Sequence, residues 1–189
     1  MRVIAGKHRS RKLLMVEDLS TRETKDRVKE SIFNMIGPYQ VVNDVLDLFA
    51  GSGSLGIEAY SRGASNIVFV DQSAKAIDVL KKNTKSLLMS NSSKIHQSDA
   101  FVYLSQTNEQ FDLIFLDPPY HKVSLEDCLE MIKNQDILRN SGLIVILTDH
   151  HTLLENQKGF IIVKQKRITR TNVIFLKWGK TNENSSISR

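Results

Sequence analysis

The fold is set by one stretch of sequence, Asp44-Val45-Leu46-Asp47-Leu48-Phe49-Ala50-Gly51-Ser52-Gly53-Ser54-Leu55-Gly56. Its first half is a short apolar strand pattern. Its second half is a glycine-rich loop that fits G-x-G-x-x-G, in which glycine allows a tight turn and a close approach of the backbone to a ligand. A helix is predicted from Ile57 to Arg62. Strand, loop and helix in this order favour an α/β protein with a nucleotide-type binding loop.

Two further acids follow apolar strands downstream. Asp71 lies twenty residues after Gly51, at the end of a predicted strand from Asn66 to Val70. A carboxylate at this distance can hold both ribose hydroxyls of an adenosine ligand. Asp99 follows a third predicted strand, Lys94 to Gln97. Its carboxylate can accept a hydrogen bond from an adenine amino group or cap the helix that follows, and the two roles can coexist.

The charge of Asp47 separates two adenosine-containing ligands. A pyrophosphate is favoured by helix N-terminal amides with no carboxylate nearby, so Asp47 disfavours a nicotinamide dinucleotide. Near the mouth of the site it would attract, directly or through water, the ammonium of a methionine moiety, which favours S-adenosylmethionine. The alternative is a strand-end acid that accepts hydrogen bonds from loop amides. The predicted cofactor-binding residues are Asp47, Phe49, Ala50, Gly51, Ser52, Gly53, Gly56, Asp71, Gln72, Asp99 and Ala100.

A second motif ends the strand pattern of Phe111 to Leu116 with Asp117-Pro118-Pro119-Tyr120. Two consecutive prolines stop a strand and keep the chain extended. The carboxylate and a backbone carbonyl can accept both hydrogens of an exocyclic amine, while the tyrosine ring stacks on the base. The plainer alternative is a strand-ending turn with a capping aspartate. Together with a sulfonium donor, the motif predicts methyl transfer, with Asp117, Pro118, Pro119 and Tyr120 as catalytic residues.

Taken together, these motifs resemble the bacterial RsmD-type methyltransferases. The resemblance rests on residues 47–59, 61–64 and 117–120, and on the amino-terminal motifs at 1–13 and 21–34. It implies a class I, Rossmann-like S-adenosylmethionine-dependent fold with a seven-stranded, mostly parallel sheet whose last strand is antiparallel. It also implies methylation of the N2 amine of a guanine in small-subunit ribosomal RNA, as free RNA or in an assembling ribonucleoprotein particle.

Basic residues concentrate at the two ends of the 189-residue chain, which carries a net charge of +5. Residues 1–16 and 156–182 contain no acid. Basic ends suggest contact with a phosphate backbone, although a solvated surface would give the same pattern. The predicted RNA-binding residues are Lys7, Arg9, Arg11, Lys12 and Arg22.

The remaining pattern predicts one domain, with a basic arm and docking helix over 1–40, a methyltransferase domain over 41–180 and a disordered tail over 181–189. Helices are expected at 73–88 and 124–133 and five parallel strands from residue 44 to 148, followed by a terminal pair, Phe160–Val163 and Asn172–Trp178, joined by the basic stretch 164–170. A single cysteine, Cys128, is expected in the core. We expect a cytoplasmic monomer with no metal site and no membrane span.

Three other functions are compatible with the motifs. An N6-adenine DNA methyltransferase would use the same Asp-Pro-Pro-Tyr turn, but no large target-recognition region is inserted. A non-catalytic RNA-binding assembly factor would keep the cofactor fold without transfer. A nicotinamide-dependent dehydrogenase ranks third.

Overall fold

The computed structural model describes residues 1–16, 26–37, 42–119, 123–149, 154 and 157–179. Helices alternate with strands along most of this length. In chain order they are α1 Asp26–Ile36, β1 Asp44–Asp47, α2 Ser54–Ser61, β2 Asn66–Asp71, α3 Ala74–Ser86, β3 Ser93–Gln97, α4 Ala100–Gln106, β4 Phe111–Leu116, α5 Leu125–Asn134, β5 Leu138–Asp149, β6 Phe160–Ile168 and β7 Thr171–Trp178. Tyr120, Arg22 and the predicted tail at 181–189 lie outside the described residues.

All seven strands form one sheet in the order β3-β2-β1-β4-β5-β7-β6. The pairs from β3 to β5 are parallel, and β7 is antiparallel to both of its neighbours. The predicted mostly parallel sheet with an antiparallel last strand is therefore confirmed. The strand order reverses between β1 and β4, and at such a switch point the carboxyl ends of the strands open a crevice for a ligand.

Each face of the sheet is covered by helices, which explains why the parallel strands are apolar throughout. One face, called here the α1 face, packs Val45 and Phe115 against residues of α1, α2 and α3. The opposite face packs Leu46 and Ile114 against α4 and α5, where Cys128 is fully buried as predicted. Among the described residues, no helix combines the length and apolar character needed to cross a membrane.

The amino-terminal arm is a short hairpin, closed by an antiparallel bridge between Arg2 and Lys12. It lies against α2, where the Lys7 amide donates to the Ser61 carbonyl at 2.8 Å. Gly6 adopts φ +81°, and a Cβ there would lie 1.7 Å from the Ser61 carbonyl oxygen. Only glycine fits this contact, which holds the described part of the arm close against the end of α2.

A fully buried carboxylate, Glu58, joins the arm to two helices. It accepts hydrogen bonds from the amides of Ile4 and Ala5 at 2.8 and 3.0 Å. It also accepts one from Arg62 Nε at 2.8 Å, and the buried Lys29 Nζ of α1 lies 3.7 Å away. Buried charge is tolerated only with such pairing. Glu58 thereby fixes the arm and α1 onto the helix that follows the glycine loop.

Two predicted boundaries are wrong. The stretch 164–170 is not a connector, because β6 continues to Ile168 and pairs with β7 across a two-residue turn at Thr169 and Arg170. Because β6 is an edge strand, its polar side chains are exposed on both faces of the sheet. The sequence of this stretch therefore lacks the alternation of apolar and polar residues that identifies a strand. The helix after the loop starts at Ser54 instead of Ile57, so Gly56 lies within α2.

Candidate active site

The carboxyl ends of the parallel strands bring three aspartates to one edge of the sheet. Asp47 ends β1, Asp71 ends β2, and Asp117 follows β4. Burial raises the pKa of Asp47 to about 7; a hydrogen bond from the Gly56 amide lowers it, whereas the negative charges of Asp117 and Asp71 raise it further. The crevice predicted from the sequence is therefore an acidic site, in which each carboxylate makes the ionisation of Asp47 less favourable.

Asp47 lies beneath the glycine loop and is only 1% exposed, whereas the sequence placed it near the mouth. Its Oδ2 accepts a hydrogen bond from the Gly56 amide at 2.9 Å. This is the backbone-bonding alternative considered for a strand-end acid, and the structure confirms it. Among the described residues, no lysine or arginine forms an ion pair with Asp47, so its charge is not neutralised by a cationic side chain there. Attraction of a cationic ligand by Asp47 stays a prediction.

Each of the three glycines of the G-x-G-x-x-G motif is required for a different structural reason. At Gly51, with φ +53°, an added Cβ would meet nothing within 4 Å, so this residue borders open space. At Gly53, with φ +81°, a Cβ would lie 2.3 Å from Leu80 Cδ1. At Gly56 it would lie 2.4 Å from Phe69 Cε1. Gly56 therefore serves close helix–strand packing, and Gly51 is the position at which a ligand can approach the backbone.

The loop is held by its neighbours on both sides. The Ala50 amide donates to the Val70 carbonyl of β2 at 3.0 Å. Asn83 of α3, which is 2% exposed, donates through Nδ2 to the Ser52 carbonyl at 2.9 Å. The same amide group donates to the Leu14 carbonyl at 3.0 Å, and Oδ1 accepts from the Leu14 amide at 2.8 Å. Asn83 thus links the end of the arm to the glycine loop.

Both oxygens of Asp71 are oriented by backbone amides. Oδ2 accepts from Gly51 and Oδ1 from Ser73, each at 2.8 Å. A carboxylate oxygen can accept a second hydrogen bond, so the side chain is positioned to bind a pair of ribose hydroxyls. Gln72 beside it is exposed. The predicted ribose contact itself stays a prediction.

Asp99 is the N-cap of α4, as one of its two predicted roles requires. Its Oδ1 accepts from the amides of Phe101 and Val102 at 2.8 and 3.2 Å. The residue is exposed and Ala100 beside it is buried. Both of these bonds use the same carboxylate oxygen, Oδ1. A contact of the other oxygen with an adenine amino group, as predicted, is therefore compatible with the capping role.

The Asp-Pro-Pro motif leaves the sheet next to the glycine loop. Asp117 is half-buried, Pro118 is buried and Pro119 is exposed. Asp47 pairs in register with Phe115, two residues before Asp117. The glycine-loop motif and the Asp-Pro-Pro motif therefore lie side by side at the switch point.

The four described residues of the predicted RNA-binding set lie on the outer surface of the arm. Lys7, Arg9, Arg11 and Lys12 are all exposed. The Lys7 ammonium lies 3.4 Å from the centre of the Tyr60 ring, and Arg11 Nη2 donates to the Ser86 carbonyl at 3.4 Å. The backbone contacts of the arm with these helices involve Ser61 and Ser86, the last residues of α2 and α3, from which the chain leads back to the amino ends of the next strands. The basic surface of the arm therefore lies toward the amino edge of the parallel sheet.

A cavity of about 800 Å³ lies elsewhere, at the amino ends of β1 and β4. It is lined by residues such as Phe33, Asn43 and Arg62, and by none of the predicted site residues. The candidate active site is thus distinguished by its chemistry and its place in the topology, and not by the size of a cavity.

Comparison with known proteins places the chain in a family. The family model described as conserved hypothetical protein 95 matches residues 1–177. The chain belongs to this family. A Haemophilus influenzae relative, ribosomal RNA small subunit methyltransferase D, is 37% identical, over 88% of this chain and 88% of its own length. The protein of the same name from Escherichia coli is 34% identical, over 77% of this chain and 73% of its own length.

Solved structures with similar sequences share the fold. A proposed methyltransferase from Escherichia coli superposes with a TM-score of 0.84 at 28% identity, covering 95% of this chain and 98% of its own. A Streptococcus pyogenes structure described as a conserved hypothetical protein gives a TM-score of 0.75 at 36% identity, covering 79% of this chain and 94% of its own. The predicted methyltransferase fold and the resemblance named from the motifs are confirmed.

The residues at the crevice fit a cationic adenosine ligand. Gly51 leaves open space at the loop, Asp71 is oriented for hydroxyl groups, and Asp47 and Asp117 supply negative charge below and beside the loop. A pyrophosphate would meet these same carboxylates and be repelled. The donor set therefore matches S-adenosylmethionine, the cofactor that the methyltransferase fold implies.

Proposed function

We propose that the chain uses S-adenosylmethionine to methylate the exocyclic N2 amine of a guanine in small-subunit ribosomal RNA. The observation that carries this proposal is the convergence of Asp47, Asp71 and Asp117 around the glycine loop at the switch point. The substrate class is supported by the relatives named ribosomal RNA small subunit methyltransferase D. We propose further that the protein acts as a cytoplasmic monomer.

The cofactor, when bound, supplies an electrophilic methyl group on a sulfonium. The chain's part is to hold and activate the acceptor. An aromatic amine is a poor nucleophile because its lone pair is delocalised into the base. Asp117 and the Pro118 carbonyl, by accepting the two amine hydrogens, would draw the nitrogen toward tetrahedral geometry and localise the lone pair. Methylation would leave the amine nitrogen positively charged, and the Asp117 carboxylate, which accepts a hydrogen bond from that nitrogen, would take its proton and pass it to solvent.

Positioning would supply much of the rate. Alignment of two reacting groups can account for roughly 7–11 kcal/mol of a barrier. Pro118 and Pro119 restrict the backbone that carries Asp117, so the acceptor site is stiff before the substrate arrives. Tyr120, outside the described residues, is proposed to stack on the everted base and offset part of the flipping cost of a few kcal/mol.

The decisive experiment compares transfer of a labelled methyl group to unmodified small-subunit ribosomal RNA, to small subunits from cells lacking this protein, and to duplex DNA. We expect transfer to one of the two RNA substrates and none to DNA. Asp117→Ala should lower the transfer rate by at least about 10³-fold with cofactor affinity kept within a few-fold. Asp78→Ala is the matched control, because among the described residues Asp78 is exposed and its ion pair is with Lys82 on the same helix, α3.

Two results would contradict the proposal. Transfer to DNA alone would indicate the adenine methyltransferase considered from the sequence. If cells that carry only the Asp117→Ala variant still modify their ribosomal RNA normally, and the purified variant methylates as well as wild type, the protein would be a non-catalytic factor. Mapping of the modified nucleotide in RNA from cells with and without the protein tests the position of the methyl group.

A further inference from the structure

The far end of the β6–β7 hairpin lies at the catalytic edge of the sheet. Leu116, the residue before Asp117, pairs with Ile146 of β5, and Ile146 pairs with Ile174 of β7. Ile174 in turn pairs with Gln165 of β6. Lys166 is one step further along β6, and therefore on the level of Asp117. The turn at Thr169 and Arg170 projects beyond that level, on the side of the crevice opposite the glycine loop.

The lysines of this strand point to the α1 face, which also carries the arm. Lys164 and Lys166 lie directly opposite Phe175 and Val173 of β7. Residues directly opposite in an antiparallel pair project to the same face. Phe175 and Val173 belong to the core of the α1 face, together with Val3 and Leu13 of the arm. The exposed lysines of β6 and the basic arm thus share one face of the sheet.

This end of the hairpin is strongly basic. Lys164, Lys166, Arg167 and Arg170 are all exposed, and the described residues from 157 to 179 include no acid. Asp149 of β5 lies opposite Thr171 and is the nearby negative charge in register. The turn itself is held in place: Thr169 adopts φ +57°, and Arg167 Nε donates to its carbonyl at 3.2 Å. An ordered, basic strand end beside the acidic crevice is suited to bind a polyanionic chain that extends beyond the catalytic site.

We propose that Lys166 and Arg170, supported by Lys164, bind the RNA backbone next to the target nucleotide, on the side of the crevice away from the glycine loop. Three strand spacings separate Asp117 from Lys166, roughly 14 Å. This distance spans a few nucleotides of RNA, so the contact can be made by the strand that carries the everted base. A backbone contact at this position would hold the flanking nucleotide while the base leaves its stack. The inference rests on the proposed RNA substrate.

The test is a double variant, Lys166→Gln with Arg170→Gln, compared with wild type. The matched control, Lys133→Gln with Lys177→Gln, removes the same charge from the opposite edge: Lys133 lies in the last turn of α5, and Lys177 lies opposite Ile161 near the start of β6. The probe is the unmodified small-subunit RNA, or small subunit, to which wild type transfers methyl groups. Binding is measured across a salt series, with kcat, KM for RNA and cofactor affinity measured separately.

We expect the test variant to raise KM for RNA about tenfold while kcat and cofactor affinity stay within twofold. Loss of two phosphate contacts should lower the slope of log affinity against log salt by about 1.4, since each contact to a single strand contributes about 0.7. A KM and salt slope equal to those of the control would overturn the inference. If the wild-type protein transfers no methyl group to RNA, the proposed function is wrong. This result can be told apart from failure of the inference about Lys166 and Arg170, because it is obtained before any variant is measured.

Discussion

The two ends of the same pair of strands treat their carboxylates in opposite ways. At the amino end, Asp44 of β1 and Asp112 of β4 are joined by Arg139 of β5, whose Nη1 lies 2.6 and 3.1 Å from them. Burial alone would raise the pKa of Asp112, but the amides of Asp44 and Asn43 and the guanidinium of Arg139 outweigh it, and the pKa is lowered. The protein neutralises this end with its own cation.

At the carboxyl end, the same strands lead to Asp47 and Asp117, and the pKa of Asp47 is raised to about 7. Within the described chain, Asp47 has one amide donor and no cationic partner. The difference teaches that burial of an acid is not by itself a sign of function. What marks the carboxyl end is a buried acid that has no cationic partner among the described residues, which is consistent with the proposed cationic cofactor.

Supplying a cation to the carboxyl end should break the comparison with the largest effect on activity. Asp117→Lys would pair with Asp47 and repel a sulfonium and an ammonium together. We expect cofactor affinity to fall by at least about 100-fold, close to 2.7 kcal/mol, and transfer to be lost. Calorimetric titration of the cofactor checks this, with Asp117→Ala as the reference that removes charge without reversing it. Equal affinities in the two variants would contradict the charge argument.

The next effect is a pH dependence of folding stability. Because the folded-state pKa of Asp47 is about 7, above its usual value of 3.8, the folded protein holds a proton that the unfolded chain releases. Stability should therefore fall as pH rises from about 4 to 7 and level off above, by up to roughly 4 kcal/mol. Denaturant unfolding across this range is compared between wild type and Asp47→Asn, which cannot titrate. Identical profiles would show that Asp47 does not ionise in this window.

Arg139→Met sharpens the comparison from the amino end. Loss of the guanidinium leaves Asp44 and Asp112 without their cation, and since Arg139 is partly exposed we expect a loss of about 1–2 kcal/mol. The lowered pKa of Asp112 stabilises the folded protein at any pH above the unfolded pKa of this group, and wild type loses that stability as pH falls through the folded pKa. In Arg139→Met this pH-dependent part of the stability should be smaller. Thermal unfolding and kcat are measured together: the melting temperature should fall by several degrees while kcat is unchanged. A parallel loss of kcat would mean that the two ends are not independent.

The parts that the sequence predicts well are those specified locally. The apolar run before Gly51, the acid that follows each strand and the two prolines after Asp117 are adjacent in the chain, and parallel strands bring their carboxyl ends to one edge without further information. The N-cap role of Asp99 is predicted for the same reason, because the amides that it caps belong to Phe101 and Val102.

What the sequence does not reveal depends on distant partners. Nothing local marks Glu58 and Lys29 as a buried pair, Asn83 as the link between the arm and the loop, or Arg139 as a clamp across two strands. A charged residue inside the apolar run of α2 is the one signal that could have singled out Glu58. Gly56 looks like a ligand contact in the motif, but its packing against Phe69 is visible only once β2 is in place.

The most direct test of the account is calorimetric titration of S-adenosylmethionine at pH 7 in two buffers of different ionisation enthalpy, with Asp47→Asn as the reference. With a pKa near 7, about half of the Asp47 side chains are protonated in the free protein. A cation bound in the crevice lowers that pKa. We therefore expect one cofactor per chain with release of up to about half a proton more in wild type than in the variant. Absence of binding, or equal proton exchange in both proteins, would contradict a cationic ligand at the carboxyl end of the sheet.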